Sequence, residues 1–272
     1  MSNHSKSPTR AAGSASESVP TLTPTSPHHY DFAYDHVVVI ESLTGTDRGT
    51  GRELYDAVIA PHARRSGLGA RFVRVASSSE LLDALDEIAV SCESGSHSAL
   101  LHLEMHGLQE GLTASNGDLV RWSAIRDPLT RINVASRLNL GVTVAACSGE
   151  YLLKCMTPTN RAPVCLMVGC GVPVWDSVVA HGFKCFYDVF LSSGDLVGAW
   201  RALNQVGRPD NQLFRLWPAK YFFRRVFAAY CEQMLSNAQV NLRVKEIHAR
   251  FVASDAMLLR DGPVARKRLQ AA

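Results

Sequence analysis

The chain has 272 residues, of which 46% are hydrophobic and 8% aromatic, so it carries enough apolar material for one substantial core. Its 28 basic and 25 acidic side chains leave a formal net charge of +3, which is too small to indicate a nucleic-acid partner. Seven cysteines without a C-x-x-C pair match neither a disulfide framework nor a zinc site, and they indicate reduced thiols in a cytoplasmic protein.

Residues 1–30 are rich in Ser, Thr and Pro, so we expect a disordered tail. This segment lacks the apolar stretch of a secretory signal, and no run of about 18 apolar residues predicts a membrane span. The following segment alternates apolar strands with amphipathic helices. In chain order the pattern predicts a strand at 36–41, a helix at 51–60, a strand at 70–76, a helix at 77–92 and a strand at 98–105.

A hairpin is then predicted around Asn116-Gly117, because Asn-Gly is the strongest short turn signal in the chain. A helix at 122–136, strands at 140–146 and 163–168, and helices at 175–190 and 194–204 follow. This alternation predicts an α/β fold, with a mostly parallel sheet and helices on both faces, over residues 31–206. Residues 207–272 are predicted to form a helical C-terminal extension packed on that domain.

Two consecutive core strands end in reactive side chains. The strand at 98–105 leads into His106-Gly107, and the strand at 140–146 leads into Cys147-Ser148-Gly149. Because sites in open α/β sheets form at the carboxyl ends of the strands, we expect the imidazole and the thiol to converge. His106 would then act as general base and Cys147 as nucleophile, and the backbone N–H groups of Gly107 and Cys147 would receive an oxyanion.

The segments LLHLEMHG and VTVAACSGEYL, 41 residues apart from His106 to Cys147, resemble the histidine and cysteine strands of the caspase-like clan of cysteine peptidases. The similarity covers residues 34–205 and is closest to the bacterial and CHAT-type members, which share an "FY…L..G…A" pattern matched here by Phe186-Tyr187, Gly194 and Ala199. The resemblance implies the caspase-haemoglobinase fold, a Cys–His dyad with a thioester intermediate, and no cofactor.

On this resemblance we expect a cysteine endopeptidase that cleaves a protein or peptide substrate, with a regulatory or activating protein as a further candidate partner. Bacterial proteins of this kind sometimes act in defence or cell death. Ala145-Ala146-Cys147 replaces the Gln-Ala-Cys of caspases, so the resemblance does not extend to aspartate specificity. A caspase-like scaffold with a latent dyad, serving as a binding or regulatory module, is the alternative.

Three charged residues are candidates for substrate binding. Arg48 lies in an Arg-Gly-Thr stretch similar to the one whose arginine binds a substrate carboxylate in caspases, although an arginine in such a loop is more often simply solvated. Glu150 and Asp176 could line a pocket for a basic side chain, or serve as surface and capping residues.

His102 and Glu104 share one strand face with His106, because strand side chains alternate. They are candidates to orient the catalytic pair through hydrogen bonds without contacting the substrate themselves. The same H-x-E-x-H face suggests a metal-dependent hydrolase as a further alternative, yet the face is too long for three side chains to bind one ion. We therefore predict no metal. Cys155, Cys165, Cys170 and Cys185 are predicted to be structural.

Overall fold

An eight-stranded sheet runs through the computed structural model, which describes residues 33–95, 98–157, 160–206, 213–234, 236 and 238–249. Its strands are β1 (His36–Ser42), β2 (Gly69–Arg74), β3 (Ala99–Gly107), β4 (Gly111–Thr113), β5 (Leu119–Arg121), β6 (Gly141–Ala145), β7 (Leu166–Cys170) and β8 (Phe214–Pro218). Six of them lie side by side in the order β2-β1-β3-β6-β7-β8, and β4 and β5 form a hairpin attached to the end of β3. All neighbours among the six pair in parallel except β8, which is antiparallel to β7.

Helices cover both faces of this sheet. They are α1 (Thr50–Leu54), which continues through a π-helical turn at Tyr55–Ile59 into α2 (Ala60–Ser66), then α3 (Ser78–Glu93), α4 (Trp122–Ala135), α5 (Asp176–Ser193), α6 (Leu196–Gln205) and α7 (Ala219–Met234). A 3₁₀ helix spans Gly149–Cys155, and residues 238–249 are helical. Apolar side chains of α3 and α4 pack on one face, and those of α1, α5 and α6 pack on the other.

Strand β1 shows why the sheet lies in the interior. Val37 and Val39 join the core beneath α5 and α6, whereas Val38 and Ile40 join the core beneath α3 and α4. All four are 5% exposed or less, as expected for a parallel strand that is covered on both sides. The predicted α/β architecture with a mostly parallel sheet is therefore confirmed.

The C-terminal part differs from the sequence prediction in one respect. α7 is helical as expected, but Phe214–Pro218 forms the edge strand β8, which the periodicity did not reveal. A five-residue edge strand that ends in proline carries little pattern of its own. The predicted boundary at residue 206 therefore separates β8 from the sheet that it completes. The tail predicted for residues 1–30 lies outside the described residues.

None of the helices within the described residues has both the length and the apolar character that crossing a bilayer requires.

Side chains of α6 hold β8 at the sheet edge. The Asn204 carboxamide accepts a hydrogen bond from the Phe214 N–H (2.9 Å) and donates one to the Phe214 carbonyl (3.0 Å). The Trp200 indole donates to the same carbonyl at 2.9 Å. Phe214 is fully buried, so these bonds satisfy backbone groups that have no water available.

We predict that Asn204→Ala lowers the free energy of unfolding by about 1–3 kcal/mol, because it removes the side chain that accepts a hydrogen bond from the buried Phe214 N–H. Chemical denaturation measures the change. Gln205→Ala is the matched control, since Gln205 is an exposed neighbour on the same helix and should be nearly neutral. Equal stability of the two variants would contradict the anchoring role of Asn204.

Candidate thiol–imidazole site

The pairing of β3 with β6 sets His106 and Cys147 at neighbouring strand ends. Glu104 lies opposite Ala145 in the parallel register, so His106 and Cys147, each two residues further on, leave neighbouring strands at the same level. Neighbouring strands are about 4.8 Å apart, and residues at period two share a face. The imidazole and the thiol therefore emerge on the α5 side of the sheet.

Gly107 lies against the backbone of Cys147. A Cβ on Gly107 would collide with the Cys147 carbonyl oxygen, so glycine is required for this approach. Leu108 and Gly111 exchange both backbone hydrogen bonds, at 2.8 and 3.3 Å, which makes Gly107–Leu112 a pair without mutual hydrogen bonds. The Gly107 N–H consequently points away from β4, toward the segment that follows β6.

A tight turn after β6 holds the thiol. Ser148 adopts a left-handed conformation (φ 56°), and Gly149 packs on Val144, where a Cβ would come within 2.7 Å of the valine side chain. Cys147 is half-buried, and its Sγ accepts a hydrogen bond from the Val174 N–H at 3.4 Å. The sulfur thus lies between the strand-end turn and the loop that leads into α5.

The imidazole of His106 is held by a carboxylate that the sequence analysis did not identify. His106 Nε2 lies 3.2 Å from Asp47 Oδ2, and the imidazole side chain is 61% exposed. The N–H and hydroxyl of Thr44 both donate to Asp47, at 2.8 and 2.7 Å. These Thr44 bonds, and secondarily His106, lower the pKa of Asp47. Asp47 lies in a Gly/Thr-rich loop where an aspartate is equally typical of a solvated turn, so the sequence carried no separate signal for it.

His102 and Glu104 form a buried network of their own. His102 Nε2 lies 3.0 Å from Glu104 Oε2, and His102 Nδ1 lies 2.8 Å from the Thr143 hydroxyl, which contacts the Tyr187 hydroxyl at 2.8 Å. The Thr50 hydroxyl donates to Glu104. These bonds link α1, the sheet and α5, and they include no bond to His106. Burial raises the pKa of Tyr187, which is consistent with a water-excluded network.

A second buried carboxylate, Glu41, binds the first turn of α1. It accepts the Arg52 N–H at 2.9 Å and pairs with the Arg74 guanidinium at 2.9 Å, although Glu41 itself is fully buried. A Cβ on Gly51 would lie 3.1 Å from Glu41 Oε1 and 3.2 Å from Glu104 Cβ. The first turn of α1 therefore packs directly on two carboxylate side chains, which fixes where the preceding loop begins and ends.

Arg48 and Asp176 are two of the residues that the sequence predicted to bind substrate. Arg48 lies in this loop, and Asp176 is the first residue of α5. Arg48 makes two hydrogen bonds to Glu53, at 2.9 and 2.7 Å, and this pairing raises the pKa of Arg48, with a smaller contribution from Asp176. Asp176 begins α5 and accepts the Ser177 N–H at 2.6 Å. The guanidinium is thus already paired. Asp176 bonds only the next N–H in the first turn of α5, and the N-cap position is Trp175, without a side-chain cap.

Glu150, the third residue predicted to bind substrate, turns toward β8. Its carboxylate pairs with Arg215 at 2.9 Å, while its second oxygen, Oε2, is buried without a hydrogen-bond partner among the described residues. A Cβ on Gly171 would lie 2.9 Å from that oxygen. Burial raises the pKa of Glu150, and the attraction of Arg215 opposes that rise.

The metal alternative finds no support in the described part of the chain. No group of three or more His, Cys, Asp or Glu side chains is placed there to hold an ion. The side chains of His102 and Glu104 are bonded to each other, and His106 is turned toward Asp47. The His102/Glu104/His106 face therefore divides into a buried pair and a separate, exposed imidazole.

Comparison with known proteins gives a distant relative. The chain is 26% identical over 189 residues to an ATP-dependent dethiobiotin synthetase, BioD, from Mycolicibacterium gilvum (strain PYR-GCK). The aligned region covers 65% of this chain and 83% of the synthetase. No family model matches the chain. At this identity and coverage the chain is similar to the synthetase without being shown to belong to its family.

This similarity overturns the prediction of a cysteine endopeptidase. The relative is named as an ATP-dependent synthetase, so the assignment to the peptide-bond hydrolases and thiol proteases is wrong. The error has a physical source, because a thiol and an imidazole at adjacent strand ends define a geometry that serves many reactions. Fold and site geometry do not by themselves fix a function.

The Arg48–Glu53–Lys184 cluster beside the site predicts a dependence of stability on pH. Hydrogen bonds from Arg48 and then Lys184 lower the pKa of Glu53 from 4.5 to about 2. A depressed carboxylate pKa stabilises the fold above pH 4.5, and that contribution is lost as the pH falls from 4.5 to about 2. We predict that Glu53→Gln lowers the free energy of unfolding at pH 7 by less than about 1 kcal/mol, because the carboxylate is partly exposed and screened.

Urea denaturation of both proteins between pH 7 and pH 2 measures this effect, and the two curves should converge at the acid end. Glu87→Gln is the control, since the Glu87–Arg71 pair is more exposed. A difference that stays constant through this range would show that Glu53 acts by packing and not by its charge.

Proposed function

We propose that Cys147 captures an electrophilic carbonyl or acyl group as a covalent thioester or thiohemiacetal, with His106 as the base that takes the thiol proton. The observation that carries this proposal is the β3–β6 register, which sets the two side chains level on one face. The thiolate is the nucleophilic form of cysteine, and a nearby imidazole can remove the proton. The proposed ligands are small acyl or carbonyl compounds, and the proposal includes no cleavage of a peptide bond.

Asp47 is the residue that would orient the base. Its carboxylate engages His106 Nε2, which leaves Nδ1 of the same ring for Cys147. Capture forms the S–C bond, moves the carbonyl π electrons onto oxygen, and transfers the thiol proton to the imidazole. A carbonyl compound stops at this adduct, whereas with an acyl compound the oxyanion re-forms the C=O bond, the bond to the leaving group breaks with its electron pair, and the imidazolium returns the proton to the departing group or to water. The negative oxygen would be received by the N–H groups of Gly107 and Cys147, the first of which points toward this segment.

The rim next to the thiol is apolar and favours a ligand with an apolar substituent. Val174 contacts the sulfur, and its neighbours Val172 and Trp175 are 46% and 80% exposed. Trp175 follows the residue whose N–H bonds the sulfur, and its exposed ring offers a flat surface that an apolar or aromatic group would cover.

The architecture also supports a proposal about ancestry. A parallel sheet with helices on both faces, and with the histidine and the cysteine after neighbouring strands, is consistent with the caspase-like clan. We propose the clan's fold for this chain, with residues 31–206 as its main domain and residues 207–272 as an appended segment that contributes β8. This proposal concerns descent and fold, and it carries no peptidase activity.

The relative's name implies ATP, and the strand–loop–helix from β1 to α1 is where a triphosphate would be expected. Such a loop binds phosphate through free N–H groups at the helix start and a following lysine. Here the Arg52 N–H is bonded to Glu41, and Glu104 and Glu41 fill the space beside Gly51. Two carboxylates in that position repel phosphate. The residues present do not fit the triphosphate, and no nucleotide step is assigned.

We predict that p-nitrophenyl acetate transfers one acetyl group to Cys147. Intact mass and peptide mapping identify the acetylated residue, and release of p-nitrophenolate gives the rate. Cys147→Ala should abolish the modification. His106→Ala should slow acetylation by about a hundredfold or more, which is the usual contribution of a general base.

Cys185 provides a matched control, because its Sγ lies 3.9 Å from His181 Nε2 and it is also a half-buried thiol beside a histidine. Cys185→Ala should leave acetylation of Cys147 unchanged. Acetylation that falls equally on Cys185 and Cys147, or that is indifferent to His106→Ala, would overturn the proposal.

Asp47→Asn should slow acetylation by about tenfold and change its pH dependence, because the neutral amide no longer fixes the imidazole. Asp56→Asn is the control, since Asp56 forms a comparable exposed ion pair with Arg52 on α1. If the two variants gave the same rate and the same pH profile as the unmodified chain, Asp47 would have no positioning role.

A further inference from the structure

Cys170 is a second thiol beside Cys147 that the proposed capture does not use. The β6–β7 register pairs Thr143 with Val168, so two residues further on Ala145 lies opposite Cys170. Ala145 and Cys170 pack in the same core beneath α5 and α6. Because strand side chains alternate, Cys147 emerges on this same face, one diagonal step from Cys170.

Hydrogen bonds place both sulfurs against one short segment. Cys170 Sγ lies 3.1 Å from the Ala146 carbonyl oxygen and 3.4 Å from the Val172 carbonyl oxygen, and its one S–H can donate to either. Cys147 Sγ accepts the Val174 N–H at 3.4 Å. The Ala146 carbonyl oxygen belongs to the peptide bond that joins Ala146 to Cys147, so Cys170 contacts the backbone of the reactive cysteine itself.

The contact between Cys170 Sγ and the Ala146 carbonyl oxygen limits the distance between the two cysteines. A carbonyl oxygen lies about 2.8 Å from the Cα of the next residue, so Cys170 Sγ is at most about 6 Å from Cys147 Cα. A disulfide requires Cβ atoms about 3.5–4.5 Å apart. Side-chain rotation moves only the sulfurs, so closure also requires the turn after β6 to shift the Cys147 backbone toward Cys170. The negative charge of a Cys147 thiolate also contributes, after burial, to the raised pKa of Cys170, about 11, as expected for close neighbours.

The exposures of the two thiols differ in the way that a peroxide-sensitive pair requires. Cys147 is half-buried and accessible to a small oxidant, whereas Cys170 is fully buried. We propose that Cys147 and Cys170 form an oxidation site for hydrogen peroxide, in which Cys147 is oxidised first and Cys170 then closes a disulfide with it. The inference does not depend on acyl capture, because oxidation requires only the two thiols.

Oxidation of the pair takes two steps. The Cys147 thiolate attacks one peroxide oxygen, which forms the S–O bond, breaks the O–O bond and releases hydroxide. The Cys170 sulfur then attacks the Cys147 sulfur, which forms the S–S bond, breaks the S–O bond and releases water with the Cys170 proton. Peroxide is reduced and the two thiols are oxidised. The buried thiol of Cys170 makes the second step the slower one.

The experiment treats the full chain with hydrogen peroxide, blocks the remaining thiols and maps disulfides without reduction. Trypsin leaves Cys147 in the peptide 138–154 and Cys170 in the peptide 162–184, which also contains Cys165. The Cys165→Ala variant is therefore used alongside the unmodified chain, so that the second peptide carries a single cysteine. We expect the cross-linked pair 138–154/162–184 in both proteins, and its loss on treatment with dithiothreitol.

Cys170→Ala supplies the second arm. Without a partner thiol, Cys147 should proceed to sulfinic and sulfonic acid, and dithiothreitol should no longer restore its alkylation by iodoacetamide. The unmodified chain should recover at least tenfold more alkylation than this variant. If Cys170→Ala does not fold, the cross-link in Cys165→Ala alone decides the question.

Absence of the cross-linked pair in Cys165→Ala, or over-oxidation of Cys147 to the same extent in the presence and absence of Cys170, would overturn the inference. Failure of acyl capture would appear differently, because p-nitrophenyl acetate would leave Cys147 unmodified while peroxide still produced the disulfide.

Discussion

The site depends on the register of β3 against β6. Because Glu104 pairs with Ala145, the next residues on the same face are His106 and Cys147, and a shift of one residue would send one side chain to the opposite face of the sheet. Burial on both faces fixes this register. Leu101, Leu103, Val142 and Val144 are fully buried on one face, and His102 and Thr143 are fully buried on the other. The apolar core thus sets the geometry of the polar site above it.

The loop between β1 and α1 is the second determinant. Glu41 and Glu104 are buried carboxylates that contact the first turn of α1, and their hydrogen bonds to the Arg52 N–H and the Thr50 hydroxyl fix the C-terminal end of the loop. That loop carries Asp47 to His106. The carboxylates therefore act on the imidazole through the loop, and they also occupy the space that a phosphate would need. One arrangement accounts both for the held imidazole and for the poor fit of a triphosphate.

The sequence was sufficient for the features that depend on periodicity. The alternation of apolar strands with amphipathic helices predicts the strands and their order along the chain, and it places His106 and Cys147 at strand ends. The Asn116-Gly117 pair predicts the hairpin turn, in which Gly117 has φ 92°. Contacts between distant loops were not predictable, because Asp47 lies 59 residues from His106 and resembles any turn aspartate. Strand β8 was missed because a short edge strand has little pattern. The peptidase prediction failed for another reason, since it took the reaction from a resemblance in two strand-end motifs, and the comparison with the synthetase contradicts that reaction.

The most direct test of this account is a crystal structure of the chain with its thiols reduced. The account predicts that the Cys147 sulfur lies within about 4–5 Å of the His106 nitrogen that Asp47 leaves free, close enough for proton transfer directly or through one water. Imidazole and sulfur on opposite faces of the sheet, or separated by more than about 8 Å with the β1–α1 loop ordered, would contradict it.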